Sequence, residues 1–214
     1  RLQADILNSP LVIVGRTDAE AASMIDSNWD PIDHPHIKGV TVKGAEKLAK
    51  AIRNGTSEGW EERTGCMTFP DAMAKAMQAK GADPSQWLKA SLNMSLEQML
   101  DAAAKSGYGD IHFDWEAARS VEGFYRVKGS TQFCIQRAIA MASHSDILWM
   151  ESALPSIAQA TEFADGVKAV VPQQMLSYNL SPSFNWDSAG MSDAEMESFV
   201  WDLAKLGYCW QFIT

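Results

Sequence analysis

The sequence predicts an α/β protein built on a parallel sheet, and three observations point there. Short apolar runs at Leu11, Ile147 and Gln174 are each followed by a helix signal, with a further strand at the carboxyl end. Polar residues gather where those runs stop, at Arg16, Glu151, Asn179 to Ser183 and Thr214. No Gly-rich phosphate fingerprint follows any of the runs. Both a (β/α)8 barrel and a doubly wound open sheet keep their chemistry at the carboxyl ends of parallel strands, and periodicity does not choose between them.

The elements follow in order. Residues 1–8 read as a helix without a cap, broken by Ser9 and Pro10. Residues 11–14 form a short β-branched run, a buried strand by length and type. Thr17 and Glu20 have capping-box spacing, which predicts a helix to about Asp26 and leaves Arg16 at the strand end. Residues 29–42, with Pro31, Pro35 and Gly39, read as loop. There His34 and His36 lie near Asp30 and Asp33, a set that suggests metal ligands. A turn in which Asp caps and Pro stiffens accounts for the same composition and is the reading adopted.

Residues 43–107 read as helices over 43–53, 69–80, 84–90 and 95–106, the last opened by a Ser95–Gln98 box. Met67, Met73, Met77, Met94 and Met99 fit core filler better than a thioether metal site. Residues 110–115 alternate like a strand, with Asp114 and Glu116 as solvated carboxylates and Arg119, Arg126 and Lys128 following. A helix is expected over 131–143 and a buried strand over 146–150, ending in Glu151. Ser156 and Gln159 open a helix to Val170, and 174–178 is the next strand. Ser192 and Glu195 cap a helix to about Leu206, with Gly207 at C′. Residues 209–213 are the last strand, and Thr214 stands at its end.

Asn179, Ser181 and Ser183 recur at period two, so an extended chain would turn all three to one face. Uncharged amide and hydroxyl groups there suit a carboxylate or a sugar-like hydroxyl pattern; a polar loop has the same spacing. The Arg16 guanidinium can grip a carboxylate bidentately, or pair with Asp18 or Glu20. Trp149 is either a pocket wall or strand-core packing.

The 214 residues are enough for one domain with a sizeable core, and 46% hydrophobic with 21% charged residues fits a soluble globular chain. A net charge of −9 argues against nucleic acid, and no apolar run approaches a membrane span. The three cysteines, Cys66, Cys134 and Cys209, form no disulfide-framework pattern and read as reduced thiols of an intracellular protein.

Several stretches carry a resemblance. Tyr178-Asn179-Leu180-Ser181-Pro182-Ser183-Phe184-Asn185-Trp186 is similar to a signature of the isocitrate lyase family. Gly15-Arg16-Thr17-Asp18-Ala19-Glu20-Ala21-Ala22, Asp30-Pro31-Ile32-Asp33-His34-Pro35, Asp114-Trp115-Glu116 through Arg126, Asp146 through Ser152, and Leu206 through Thr214 match the family in the same order. The likeness is thin between residues 38 and 108.

This resemblance implies a partial (β/α)8 TIM-type barrel, roughly its second half, with barrel βα units over 1–29 and 110–214 and a loop and helical insertion over 30–109. It implies Mg2+-dependent, retro-aldol-type cleavage of isocitrate to succinate and glyoxylate, as in the glyoxylate cycle. The substrate would be held by Arg16, Asn179, Leu180, Ser181, Pro182, Ser183 and Thr214, with Trp149 and Glu151 in support. It further implies a homotetramer without nucleic-acid or membrane partners, in the glyoxysome or peroxisome, the cytoplasm or the mitochondrion.

The sequence departs from the family in one respect. None of Cys66, Cys134 and Cys209 is followed by Gly-His, so the family's Lys-Lys-Cys-Gly-His loop is missing, as is its metal-binding acidic segment. No catalytic residue is therefore expected in this chain; the Mg2+ ligands are expected outside it, and Cys209 is read as a core thiol. Both ends read as interior points of a larger protein, and the 214 residues alone are expected to be inactive. The alternatives are 2-methylisocitrate lyase, and a non-catalytic carboxylate-binding or assembly fragment.

Overall fold

The computed structural model describes residues 1–213. In chain order its regular elements begin with α1 (Leu2–Ile6), β1 (Val14–Thr17), β2 (Met24–Ile25) and β3 (Lys38–Gly39). The middle of the chain supplies α2 (Leu48–Arg53), α3 (Trp60–Thr64), β4 (Met67–Thr68), α4 (Phe69–Ala79), α5 (Ser85–Ser91), α6 (Leu96–Lys105) and β5 (Tyr125–Arg126). The last part supplies α7 (Thr131–Met141), β6 (Ile147–Met150), α8 (Ile157–Lys168), β7 (Met175–Asn179), α9 (Asp193–Lys205) and β8 (Tyr208–Phe212). These form two compact units, one of Arg1–Ala21 with the chain from Gly129 onward, the other of Ala22–Lys128.

The first unit holds a four-stranded sheet in the order β1-β6-β7-β8, parallel throughout. The α/β class with a parallel sheet is thus what the alternation of runs and caps predicts. Helices α7, α8 and α9 each start with a side-chain cap, whereas α1 has none. Ser130 accepts from the Phe133 amide, Ser156 from Gln159, and Ser192 forms a two-way box with Glu195. Gly207 closes α9 with φ of 91°, a conformation that suits glycine at C′.

One face of the sheet is packed on the helices. Leu148, Leu176 and Tyr178 point that way and are buried with Phe133, Phe163, Val167, Phe199 and Leu203. Tyr178 meets the rings of Phe199 and Tyr208 edge-on at 5.6 and 5.7 Å, and the Tyr208 hydroxyl donates to the Ala160 carbonyl at 2.8 Å.

Three expectations need correction in this unit. The first strand is β1, not residues 11–14: Leu11 and Val12 are 61% and 64% exposed. β6 begins at Ile147, opposite Val14; the Ile13 carbonyl still accepts from the Asp146 and Ile147 amides, but Leu11 and Val12 have no strand partner among the described residues. No helix starts at Thr17. The strand runs through it, its hydroxyl takes the Ala19 amide at 3.3 Å in a short turn, and the next element is β2. Cys209 is not a core thiol. Leu176 pairs with Tyr208 but Ser177 with Trp210, so Cys209 is the extra residue of a bulge and lies exposed.

The second unit has two small antiparallel pairs, β2 with β5 and β3 with β4. Its helices form around two cores. Val40, Leu48, Ala51, Trp60, Cys66, Ala117 and Ala118 make one, and Phe69, Met73, Ala74, Trp87, Met99 and Ala103 the other, with Met77 and Met94 packed against it. Met73, Met77, Met94 and Met99 are core filler, whereas Met67 is half-buried in β4 and belongs to neither core. The Ser95–Gln98 box is formed in both directions.

Residues 110–115 are not a strand. Asp114 makes one isolated bridge with Val40, and its carboxylate accepts from the Ala117 amide at 3.1 Å. Phe113 and Trp115 serve the aromatic core instead, edge-on to Phe69 and Tyr125. Nor is Glu116 simply solvated: it accepts from the Tyr125 hydroxyl at 2.6 Å and from Arg119 at 2.9 Å. Residues 31–36, read as loop, form a 3-10 turn capped by Asp30.

Gly166 in α8 faces Ile135 of α7. A Cβ there would meet Ile135 Cδ1 at 2.6 Å and Cγ1 and Cγ2 at 3.0 Å. Helix propensity alone favours alanine over glycine by about 1 kcal/mol, but overpacking costs about 1–3 kcal/mol. Gly166→Ala is therefore expected to destabilise, by about 1 kcal/mol net. Urea unfolding measures it, and pairing the change with Ile135→Val should recover most of the loss.

Candidate functional site

The parallel register sets the site. Arg16 of β1 stands opposite Trp149 of β6, and Trp149 opposite Ser177 of β7. Because strand side chains alternate, these residues share the face turned away from the helices, with Asn179 two residues on from Ser177. The bulge at Cys209 brings Trp210 and Phe212 of β8 to the same face, opposite Ser177 and Asn179. Val14, Arg16, Trp149, Trp210 and Phe212 line a shallow cavity of about 200 Å3.

The Arg16 guanidinium sits over the Trp149 indole, its Cζ 4.2 Å from the ring centre. Asp18 holds the guanidinium through both carboxylate oxygens, Nη2 donating to Oδ1 at 2.7 Å and Nε to Oδ2 at 3.2 Å, and raises its pKa further. Glu151 Oε2 stands 3.8 Å from Nη2, an electrostatic contact too long for a hydrogen bond. The Arg16 side chain remains 46% exposed, so a ligand can reach it. Trp149 meets Phe212 edge-on at 4.5 Å, and both rings line this cavity. Asn179 donates from Nδ2 to Glu151 Oε1 at 3.3 Å.

Arg16, Trp149, Glu151 and Asn179 are thus brought together. Leu180 continues the ladder by one bond, its amide donating to the Phe212 carbonyl at 2.9 Å. The chain then turns, so residues 179–183 do not stay extended. Ser181 and Ser183 face each other, with hydroxyls 2.7 Å apart and the Ser183 amide on Ser181 Oγ at 3.3 Å. Ser181 is buried, and Pro182 and Ser183 are exposed. Thr214 lies outside the described residues.

Trp210 and Phe212 were not singled out in the sequence, because the bulge that turns them to this face leaves no mark in the alternation. Ser177 was legible: it is two residues before Asn179, on the same face.

A larger cavity, about 500 Å3, lies in the second unit beside Trp60, Glu61, Glu122 and Arg126. Glu61 is already engaged there by Lys38 at 3.1 Å and Arg126 at 2.5 Å. Burial opposes its ionisation, yet these two cations hold its carboxyl below the usual range.

Nor does the turn at His34 offer a metal site. His34 Nδ1 takes the Leu96 amide at 3.0 Å and Nε2 meets the Asn28 carbonyl at 2.9 Å, so both ring nitrogens serve the backbone. Among the described residues no group of three or more His, Cys, Asp or Glu side chains is placed to hold an ion. No helix among them is long and apolar enough to cross a membrane.

Burial pushes the thiols of Cys66 and Cys134 up to about 11. An alkylating reagent at pH 8 should therefore modify Cys209 promptly, and Cys66 and Cys134 only after denaturant is added. Mass mapping of the labelled peptides checks this order.

Comparison with known proteins matches the whole described chain and its last residue, 1–214, to the isocitrate lyase family. Isocitrate lyase of Oryza sativa subsp. japonica is 41% identical over 238 residues, covering 100% of this chain and 42% of the relative. Isocitrate lyase of Saccharomyces cerevisiae is 39% identical over 234 residues, covering 100% and 42%. The mitochondrial 2-methylisocitrate lyase of Hypocrea atroviridis is 30% identical over 232 residues, covering 100% and 41%. The chain spans about two fifths of the length of these relatives.

Proposed function

The chain belongs to the isocitrate lyase family, and from that premise we propose that it supplies the carboxylate-holding wall of a site that cleaves isocitrate to succinate and glyoxylate. The observation that carries this reading is Arg16, seated over Trp149 beside Glu151 and Asn179 at the carboxyl ends of parallel strands. In it, the four-stranded sheet is roughly the second half of a (β/α)8 barrel and residues 30–109 are an insertion. A homotetramer, in the glyoxysome, peroxisome, cytoplasm or mitochondrion and serving the glyoxylate cycle, belongs to the same proposal.

Each residue has a stated part. Arg16 draws a substrate carboxylate and holds it by charge-assisted hydrogen bonds, in exchange for part of its contact with Asp18. Asn179, Ser181, Ser183 and Thr214 offer uncharged donors to the remaining carboxylate oxygens, on the backbone set by Leu180 and Pro182. Trp149 and Phe212 wall off water, which strengthens those bonds. Glu151 accepts a hydrogen bond from a hydroxyl or from water.

The family reading includes Mg2+, which would polarise the hydroxyl and carboxylate that become glyoxylate. The residues described here do not make a cage for it: Glu151 offers a single unpartnered carboxylate oxygen. Its ligands are proposed to lie on acidic residues outside this sequence. The acid that protonates succinate is likewise proposed to lie outside, because no Lys-Lys-Cys-Gly-His loop is present. The 214 residues alone are then expected to bind succinate without cleaving isocitrate, and glyoxylate release by a phenylhydrazine assay would sink that part of the proposal.

Arg16→Ala should weaken succinate binding by about 10- to 100-fold, the range for a charge-assisted hydrogen bond. Asp18→Asn, which removes the competing negative charge, should tighten it. Calorimetric titration reads both, and unchanged affinity in Arg16→Ala would remove the site. A second reading, 2-methylisocitrate cleavage, draws on the Hypocrea relative. One methyl is worth about 1–3 kcal/mol of discrimination, so kcat/KM on the two substrates should differ by about 10- to 200-fold in the complete enzyme. A preference for the unmethylated substrate is expected.

A further inference from the structure

Four side chains on neighbouring strands each leave one hydrogen-bonding atom without a partner among the described residues. They are Trp149 Nε1, Glu151 Oε2, Ser177 Oγ and Asn179 Oδ1, all sealed from solvent. Trp149 and Ser177 are register partners, and Asn179 bonds Glu151. The four therefore form a two-by-two block on the face of β6 and β7 that is turned from the helices. Ser177, at 0% exposure, is its most buried member. The Asn179 amide is not free to flip: its Nδ2 is turned to Glu151 Oε1, which leaves Oδ1 as the unused acceptor.

The valences of these atoms balance. The indole Nε1–H only donates, and the Ser177 hydroxyl can donate; the carboxylate oxygen and the amide oxygen accept. Two donors and two acceptors are the complement of one water, which accepts two hydrogen bonds and donates two. Buried polar atoms without partners are rare and costly, and buried waters typically make two to four such bonds.

We propose that one buried water, bonded to all four atoms, ties β6 to β7 beneath the candidate site, and that Ser177 is a positioning residue that holds the Trp149 indole under Arg16 through it. The effect on Arg16 rests on the carboxylate-binding reading above; the water itself does not.

A high-resolution crystal structure of the ligand-free full chain tests the water. One spherical density peak is expected within about 2.7–3.2 Å of all four atoms. A region without such a peak, or four atoms each paired with protein groups, overturns the proposal. Ser177→Thr keeps the hydroxyl and should keep the peak; Ser177→Val has the same shape without the hydroxyl and should lose it, with Ser177→Ala as the substitute if valine does not fold.

Succinate titration tests the positioning role. The valine variant should bind about tenfold more weakly, the scale of one hydrogen bond, and the threonine variant within about twofold of the parent. Equal weakening by threonine and valine would show an effect of shape and overturn that role. If Arg16→Ala leaves succinate binding intact, the carboxylate reading has failed, and the density peak alone decides the water.

Discussion

The in-register pairing of β1, β6 and β7 is the constraint on which the site depends. Parallel strands carry their side chains past one another in fixed rows, so pairing Gly15 with Leu148 also pairs Arg16 with Trp149 and, one strand over, Trp149 with Ser177. Residues more than a hundred positions apart in sequence become neighbours by that single alignment. Slipping one strand by a residue would send Arg16 or Trp149 into the helix layer, where Phe133, Phe163 and Phe199 leave no space for a charge or for a second indole.

The Arg16 guanidinium and its carboxylate neighbours show why the site needs such alignment. Arg16 lies between Asp18 on its own chain segment and Glu151 after β6, over an aromatic face. The cation is held in place yet keeps an exposed side, which is how a protein of net charge −9 can still present a positive group to an anion. Asp18 both orients this cation and competes for it.

Legibility in the sequence followed the range of the interaction that decides each element. Caps are local, and the helices opened by Ser95, Ser156 and Ser192 are all readable from residues within one turn. Strands β6, β7 and β8 were found to within a residue or two, because apolar runs there coincide with a partner strand. β1 was displaced, since Leu11 and Val12 have strand-like chemistry but nothing to pair with. The Thr17–Glu20 spacing misled for the reverse reason: pairing with β6 carries the chain in extended form through Thr17, and local propensity gives way. At 110–115 the alternation of Ile111, Phe113 and Trp115 reflects aromatic packing and not a ladder. Arg16, Trp149, Glu151 and Asn179 were picked out because each ends or nearly ends an apolar run, whereas the grouping of Trp210 and Phe212 with them depends on an irregularity that no periodicity records.

That irregularity is the single extra residue at Cys209. Upstream of it, Tyr208 points into the helix layer; downstream, Trp210 and Phe212 point to the opposite side. The bulge acts as a parity switch for the rest of the strand. What matters at this position is therefore the count of residues and hardly the chemistry of the thiol. A substitution of Cys209 leaves every later side chain on its own side, whereas a one-residue deletion there would exchange the two faces and turn the aromatic wall of the cavity inside out.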